Sequence, residues 1–159
     1  MKILNIEADK SIFDIIPDNQ SAVCVTTNGV VKSNGCAVMG AGIAKECKDR
    51  FPIIQVWLGQ KLKYTGNHAY YFTDPTLSDN VKHIITFPTK HHWKENSDIE
   101  LIKQSCMEAT EIMDTCKHIL TKCYLPKPGC SNGHLDWDTL VKPVISELLD
   151  DRFIVVVRD

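Results

Sequence analysis

The sequence predicts a three-layer α/β sandwich, and three observations carry that prediction. Short apolar runs alternate with amphipathic stretches along the whole chain. Two glycine-rich loops each sit at a predicted strand-to-helix joint: Val38-Met39-Gly40-Ala41-Gly42-Ile43-Ala44, and Leu125-Pro126-Lys127-Pro128-Gly129-Cys130-Ser131-Asn132-Gly133. At 159 residues the chain has the size of one domain, residues 1–159, and can bury a substantial core.

The elements follow in order. A short strand is expected over residues 2–6. The continuous apolar run over 22–26 suits a strand covered on both faces. A Gly/Asn/Ser-rich stretch from Asn28 to Gly35 reads as a loop. A helix over 41–51 places Ile43, Ala44, Cys47 and Phe51 on one face, and Pro52 stops it. Residues 54–62 form a second amphipathic helix with Trp57 and Leu58 inward. Strand-forming runs over 69–73 and 82–87 are separated by Asp74-Pro75 and Ser78-Asp79-Asn80. Ser97-Asp98-Ile99-Glu100 matches a capping box with Ser97 as N-cap, opening a helix whose apolar stripe is Ile102, Cys106, Ala109, Met113 and Cys116. A strand over 119–125 leads into the second glycine loop. Asp136 caps the last helix, with Leu135 and Leu140 as a hydrophobic staple, and Pro143 implies a kink or a fresh start. Residues 153–157 are apolar enough for an interior strand.

Composition narrows the function classes. Hydrophobic residues at 43% and charged residues at 24% are those of a soluble globular protein. A net charge of −2 lacks the footprint of a protein that coats a duplex. The polar N-terminal segment does not read as a signal peptide, and no apolar run is long enough for a bilayer, so a cytoplasmic protein without a membrane partner is expected. None of the seven cysteines forms a C-x-x-C pair, so buried reduced thiols are expected and no metal site.

Three segments carry the chemistry. Glycines at a helix start free backbone N–H groups for an anion, and two such loops in one small domain form a clamp for a diphosphate. The ligand is therefore expected to be nucleotide-like. Asn28 and Asn34 offer donors and acceptors suited to ribose hydroxyls, and they are also ordinary turn residues. Ile85-Thr86-Phe87-Pro88-Thr89-Lys90-His91-His92-Trp93-Lys94 gathers two lysines, two histidines and a tryptophan at one strand exit. Its alternative reading is a solvated basic loop anchored by Trp93.

Together these segments resemble the macrodomain family, the ADP-ribose-binding α/β/α module with a mixed central sheet. Within it the chain looks most like the branch of the DarG antitoxin and the terminal ADP-ribose glycohydrolases. The resemblance rests on Asn34-x-x-x-Val38-Met39-Gly40-x-Gly42-Ile43-Ala44 followed by Phe51-Pro52, on Phe87-Pro88-Thr89-Lys90-x-His92-Trp93, and on Pro128-Gly129-x-x-Asn132-Gly133-x-Leu135-Asp136-Trp137. It implies that Gly40, Ala41, Gly42 and Ile43 cradle the diphosphate from one side. Pro128, Gly129, Cys130, Ser131, Asn132, Gly133 and His134 close over it from the other. Asn34 would hold the distal ribose, Lys90 would be the catalytic lysine and Asp9 would read the adenine.

Where some relatives carry a catalytic Asp in the second loop this chain has Gly133, which points to the DarG-like variant. The implied activity is hydrolysis of ADP-ribosyl conjugates, on single-stranded DNA or on protein, with ADP-ribose as ligand, no cofactor and a monomeric chain. Lys90 could serve as nucleophile, as base or as a cation beside the leaving group. An ADP-ribose 1″-phosphate phosphatase and a non-catalytic reader are the alternatives.

Overall fold

The computed structural model describes residues 1–76 and 79–158. Among these residues one sheet holds six strands: β1 (Lys2–Ile6), β2 (Ser21–Thr27), β3 (Tyr71–Thr73), β4 (His83–Pro88), β5 (Lys122–Leu125) and β6 (Phe153–Arg158). Their spatial order is β1-β6-β5-β2-β4-β3. Only β3 runs antiparallel to its neighbour, so the sheet is mixed. The terminal strand β6 is interior, as its apolar sequence predicts. The turn expected at Ser78-Asp79-Asn80 falls partly outside the described residues, at Ser78.

Helices α1 (Gly42–Arg50) and α2 (Ile54–Tyr64) cover one face, and α3 (Ile99–Thr115) and α4 (Lys142–Leu148) cover the other. Strand alternation feeds both layers. Ala22, Cys24, Ile85, Phe87, Cys123 and Leu125 pack with Ile102, Cys106, Ala109 and Met113 of α3. Val23, Val25, Ile84 and Tyr124 pack with Ala44, Cys47, Ile54 and Leu58 on the opposite side. Every residue of β4 is buried, and the apolar run of β2 is likewise covered on both faces. Trp57, expected inward, is only half-buried; it lies along the rim against Tyr70 and Phe72.

Two helix starts differ from expectation in instructive ways. Asp98, not Ser97, is the N-cap of α3: its carboxylate accepts from the Glu100 backbone N–H. The Glu100 side chain pairs forward with Lys103 instead of folding back. Ser97 is withdrawn into the interior, where its backbone N–H donates to the Gly133 carbonyl. Asp136 does cap its helix, accepting from the Thr139 N–H, but the first turn is a wide π turn over Trp137–Val141. α4 then begins at Lys142 with Pro143 in its first turn, where the missing N–H costs nothing. Four cysteines (Cys24, Cys47, Cys106, Cys123) are buried, and all seven are free thiols.

Candidate functional site

The C-terminal ends of β5, β2 and β4, three neighbours in the sheet, each release one of the three loops singled out in the sequence. They surround a cleft of about 1040 Å³ at the carboxyl edge of the sheet, the usual ligand position in open α/β folds.

The loop after β2 folds into a small hairpin, with Val31 bridged to Ala37. Asn28 braces it: its carboxamide donates to the Val38 carbonyl and accepts from the Val30 N–H. The hairpin tip lies on α2, where any side chain at Gly59 would collide with the Gly35 carbonyl. The loop then reaches Gly40, where a Cβ would meet nothing within 4 Å. Gly40 therefore owes its place to the open cleft and not to packing. Ala41 caps α1 with extended backbone and no side-chain hydrogen bond, and Gly42 takes φ +57°. The first N–H groups of α1 are left for an anion.

The loop after β5 is built the opposite way. Gly129 has φ +77°, and a Cβ there would come within 2.8 Å of Ile102. A Cβ on Gly133 would overlap the Ser97 hydroxyl and reach 2.5 Å from the Gly129 carbonyl oxygen. These two glycines let the loop sit down on α3 and Ser97. Backbone bonds from His134 to Ser131 and from Leu135 to Gly129 close the turn. Burial pushes the Cys130 thiol up to about 11, so it is a packing group. The two glycine loops face each other: Asn132 Nδ2 lies 3.5 Å from where a Gly42 Cβ would be.

The loop after β4 carries Lys90, whose Nζ donates to the Asn132 carbonyl oxygen at 2.8 Å and more weakly to that of Trp93 at 3.4 Å. Its backbone is held on three sides. Asn67 Nδ2 donates to the Lys90 carbonyl, the Gly29 N–H to the His91 carbonyl, and the Thr89 N–H to the Thr27 carbonyl. His91 Nε2 lies 2.9 Å from Asp98 Oδ2, and this contact, with the Glu100 N–H, holds the Asp98 carboxyl below its usual range. Trp93 is not a buried anchor: it is 48% exposed, its ring stacks on His92 and Lys94 lies over it.

The cleft gathers Lys90, Gly40, Ala41, Gly42, Ile43, Gly129, Cys130, Ser131, Asn132, Gly133 and His134, all expected from the sequence. Three expected residues are not on its wall. Asn34 is exposed at the hairpin tip, where its carboxamide accepts from the Cys36 N–H in a local turn. Asp9 is exposed in the turn after β1, and Pro128 lies behind the loop it introduces. Among the residues not foreseen at the cleft are Glu46, Ser97 and Arg158. Ser97 was hidden by its match to a capping box. Glu46 and Arg158 lie on regular elements with no local signature.

No model of a known protein family matches the chain. Among curated proteins it is similar to the DNA ADP-ribosyl glycohydrolase of Mycobacterium tuberculosis, 28% identical over 123 residues, covering 76% of this chain and 34% of that protein. The chain thus spans about a third of the length of the curated relatives it matches. Among solved structures, the macrodomain of Mycobacterium tuberculosis DarG superposes with a TM-score of 0.75 at 25% identity, covering 98% of this chain and 99% of that one. Thermosipho africanus DarTG in complex with ADP-ribose gives 0.77 at 21% identity, covering 98% of this chain and 41% of that one. In fold the chain is a macrodomain, and among macrodomains it resembles those of DarG.

Proposed function

We propose that this chain binds ADP-ribose in the cleft and hydrolyses the bond between ADP-ribose and a modified acceptor. The reading is supported by the names of the relatives, glycohydrolases acting on DNA ADP-ribose, and by the ligand in the Thermosipho africanus structure. The observation that carries it is the placement of Lys90 Nζ on the Asn132 carbonyl, which sets an amine at the edge of a two-loop anion pocket.

The N–H groups of α1 and of the Gly129–Gly133 turn take the diphosphate from opposite sides. The distal ribose then lies toward β4, beside Lys90, and the carboxamide available to it is that of Asn28, which is in the cleft, and not that of Asn34. Cleavage builds oxocarbenium-like charge on the anomeric carbon while the acceptor leaves with the bonding electron pair. Lys90, already donating to two carbonyl oxygens, works as a cation whose N–H covers the leaving atom. Water adds to the anomeric carbon and its proton neutralises the acceptor, giving free ADP-ribose and the unmodified acceptor. Holding the sugar by its diphosphate supplies the orientation.

Single-stranded DNA is the substrate we favour, since the exposed Trp93, His92 and Lys94 offer rings and charge at the rim. The test is release of free ADP-ribose from modified single-stranded DNA, run beside modified protein and ADP-ribose 1″-phosphate. Release from DNA supports the reading. Release of inorganic phosphate alone marks a phosphatase, and calorimetric binding with no product from any conjugate marks a reader.

A further inference from the structure

We propose that Asn67 is a positioning residue for the hydrolysis: from outside the cleft it fixes the backbone of Lys90, and through it the place of the amine. The inference rests on the reading that Lys90 acts in the cleavage. An ammonium on a flexible aliphatic stem stands where its own backbone aims it. Two peptide planes flank Lys90 and set the direction of its side chain. The carbonyl of the first, that of Thr89, accepts from the Asp98 N–H at 2.9 Å. The carbonyl of the second, that of Lys90 itself, accepts from Asn67 Nδ2 at 3.0 Å.

Asn67 lies between α2 and β3, half-buried and off the cleft wall. Turned over, its carboxamide would set Oδ1 against the Lys90 carbonyl oxygen, acceptor against acceptor, so only one orientation is allowed. In that orientation Oδ1 is buried and meets no donor among the described residues. The polar contact this side chain makes is therefore the one to Lys90.

The carboxamide is boxed in from two directions. On one side stands Gly29, in the loop after β2, whose N–H donates to the His91 carbonyl at 3.2 Å. A Cβ on Gly29 would lie 3.0 Å from Asn67 Nδ2 and 3.0 Å from the His91 carbonyl oxygen. On the other side Glu108 of α3 ties down the segment that carries Asn67. Its carboxylate accepts from the Ala69 N–H at 3.1 Å and meets His68 Nδ1 at 2.7 Å. None of Asn67, Gly29, His68 and Glu108 is on the cleft wall, so their influence on the reaction runs through Lys90.

The experiment measures kcat for ADP-ribose release from modified single-stranded DNA or modified protein, whichever the wild type hydrolyses, beside calorimetric binding of ADP-ribose. The variants are Asn67→Ala, Asn67→Asp and Gly29→Ala, with Asn67→Ala also made in the Lys90→Met background. Asn67→Ala should lower kcat about tenfold or more, the effect of a misplaced reacting group. Its Kd for ADP-ribose should stay within about twofold of wild type, since other loops build the diphosphate pocket. Asn67→Asp keeps the volume but puts an acceptor where the donor was, and should lose as much. Gly29→Ala removes no donor and only displaces the carboxamide, so a loss of about threefold is expected. In the Lys90→Met background Asn67→Ala should change kcat by less than about twofold, because no amine is left to place. A variant that merely folds badly would lose activity in both backgrounds and lose affinity as well. A kcat within about twofold of wild type in both Asn67 variants overturns this assignment and leaves the proposed function intact. So does an equal fractional loss in the Lys90→Met background, or an affinity that falls in step with kcat. A wild type that binds ADP-ribose and releases it from no conjugate overturns the proposed function and this assignment together.

Discussion

Lys90 Nζ and the Asn132 carbonyl oxygen, 42 residues apart in sequence, meet at 2.8 Å and tie the loop after β4 to the loop after β5. The amine proposed for catalysis is thereby also a clasp on the phosphate turn. Occupation of the turn and placement of the amine are one geometric event.

The Lys90→Met variant follows from this. It keeps the aliphatic stem and removes both donors. We expect kcat for ADP-ribose release to fall about 10²-fold or more, the usual scale for losing one preorganised donor to the charge that develops in the transition state. Binding should weaken less, since the anion pocket is made of backbone N–H groups. A kcat within about threefold of wild type would remove Lys90 from the reaction.

Gly40 and Gly133 look alike in sequence and should behave as opposites. Alanine at 133 collides with Ser97 and the Gly129 carbonyl, so the loop must lift, at about 1–3 kcal/mol of stability. Alanine at 40 meets no protein atom, so thermal stability should hold while the methyl enters the path of the ligand. A tenfold or greater loss of ADP-ribose affinity is expected there, about 1.4 kcal/mol. Thermal melts beside calorimetry read both effects; Gly40→Ala with wild-type affinity would show that nothing approaches the backbone at that point.

The start of α3 gives a second opposed pair. Asp98→Ala removes the cap on the Glu100 N–H and the partner of His91, and should cost about 1 kcal/mol. Ser97 Oγ is buried and, among the described residues, makes no hydrogen bond. Ser97→Ala therefore removes an unsatisfied hydroxyl and should leave stability unchanged or raise it by up to about 1 kcal/mol. Urea midpoints for the two variants decide it, and a larger loss from Ser97→Ala would restore Ser97 as the cap.

This same junction marks where sequence reading stops. Element type and order were legible because apolar periodicity is a local signal: β2, α3 and β6 fall where their patterns place them. The glycine loops were legible because glycine at a strand exit has few other uses. Ser97 and Asp98 are adjacent and both good caps, and only the descent of the Gly129–Gly133 loop onto α3 decides between them. Asn34 and Asn28 are likewise equal in sequence; the Val31–Ala37 hairpin carries one away from the cleft and leaves the other in it. Arg158 reaches the cleft through the pairing of β6 beside β1 and β5, and meets Glu46 of α1 there, a contact that no local pattern announces.

His83 supplies a pH dependence remote from the cleft. It is buried at the start of β4, where Nε2 donates to the Asn19 carbonyl at 2.8 Å and Nδ1 accepts the Tyr71 hydroxyl at 2.7 Å. Both contacts suit the neutral ring, and burial lowers its pKa from the ordinary value; the carbonyl of Asn19 opposes that only in part. The folded state thus binds its proton at lower pH than the unfolded chain does. The stabilisation is complete above the unfolded histidine value of about 6.5 and is lost as pH falls toward the folded one. The urea midpoint should drop from pH 7.5 to pH 5.5. His83→Gln, which can donate to Asn19 and accept from Tyr71 without titrating, should flatten that drop. An unchanged slope in this variant would place the titrating group elsewhere.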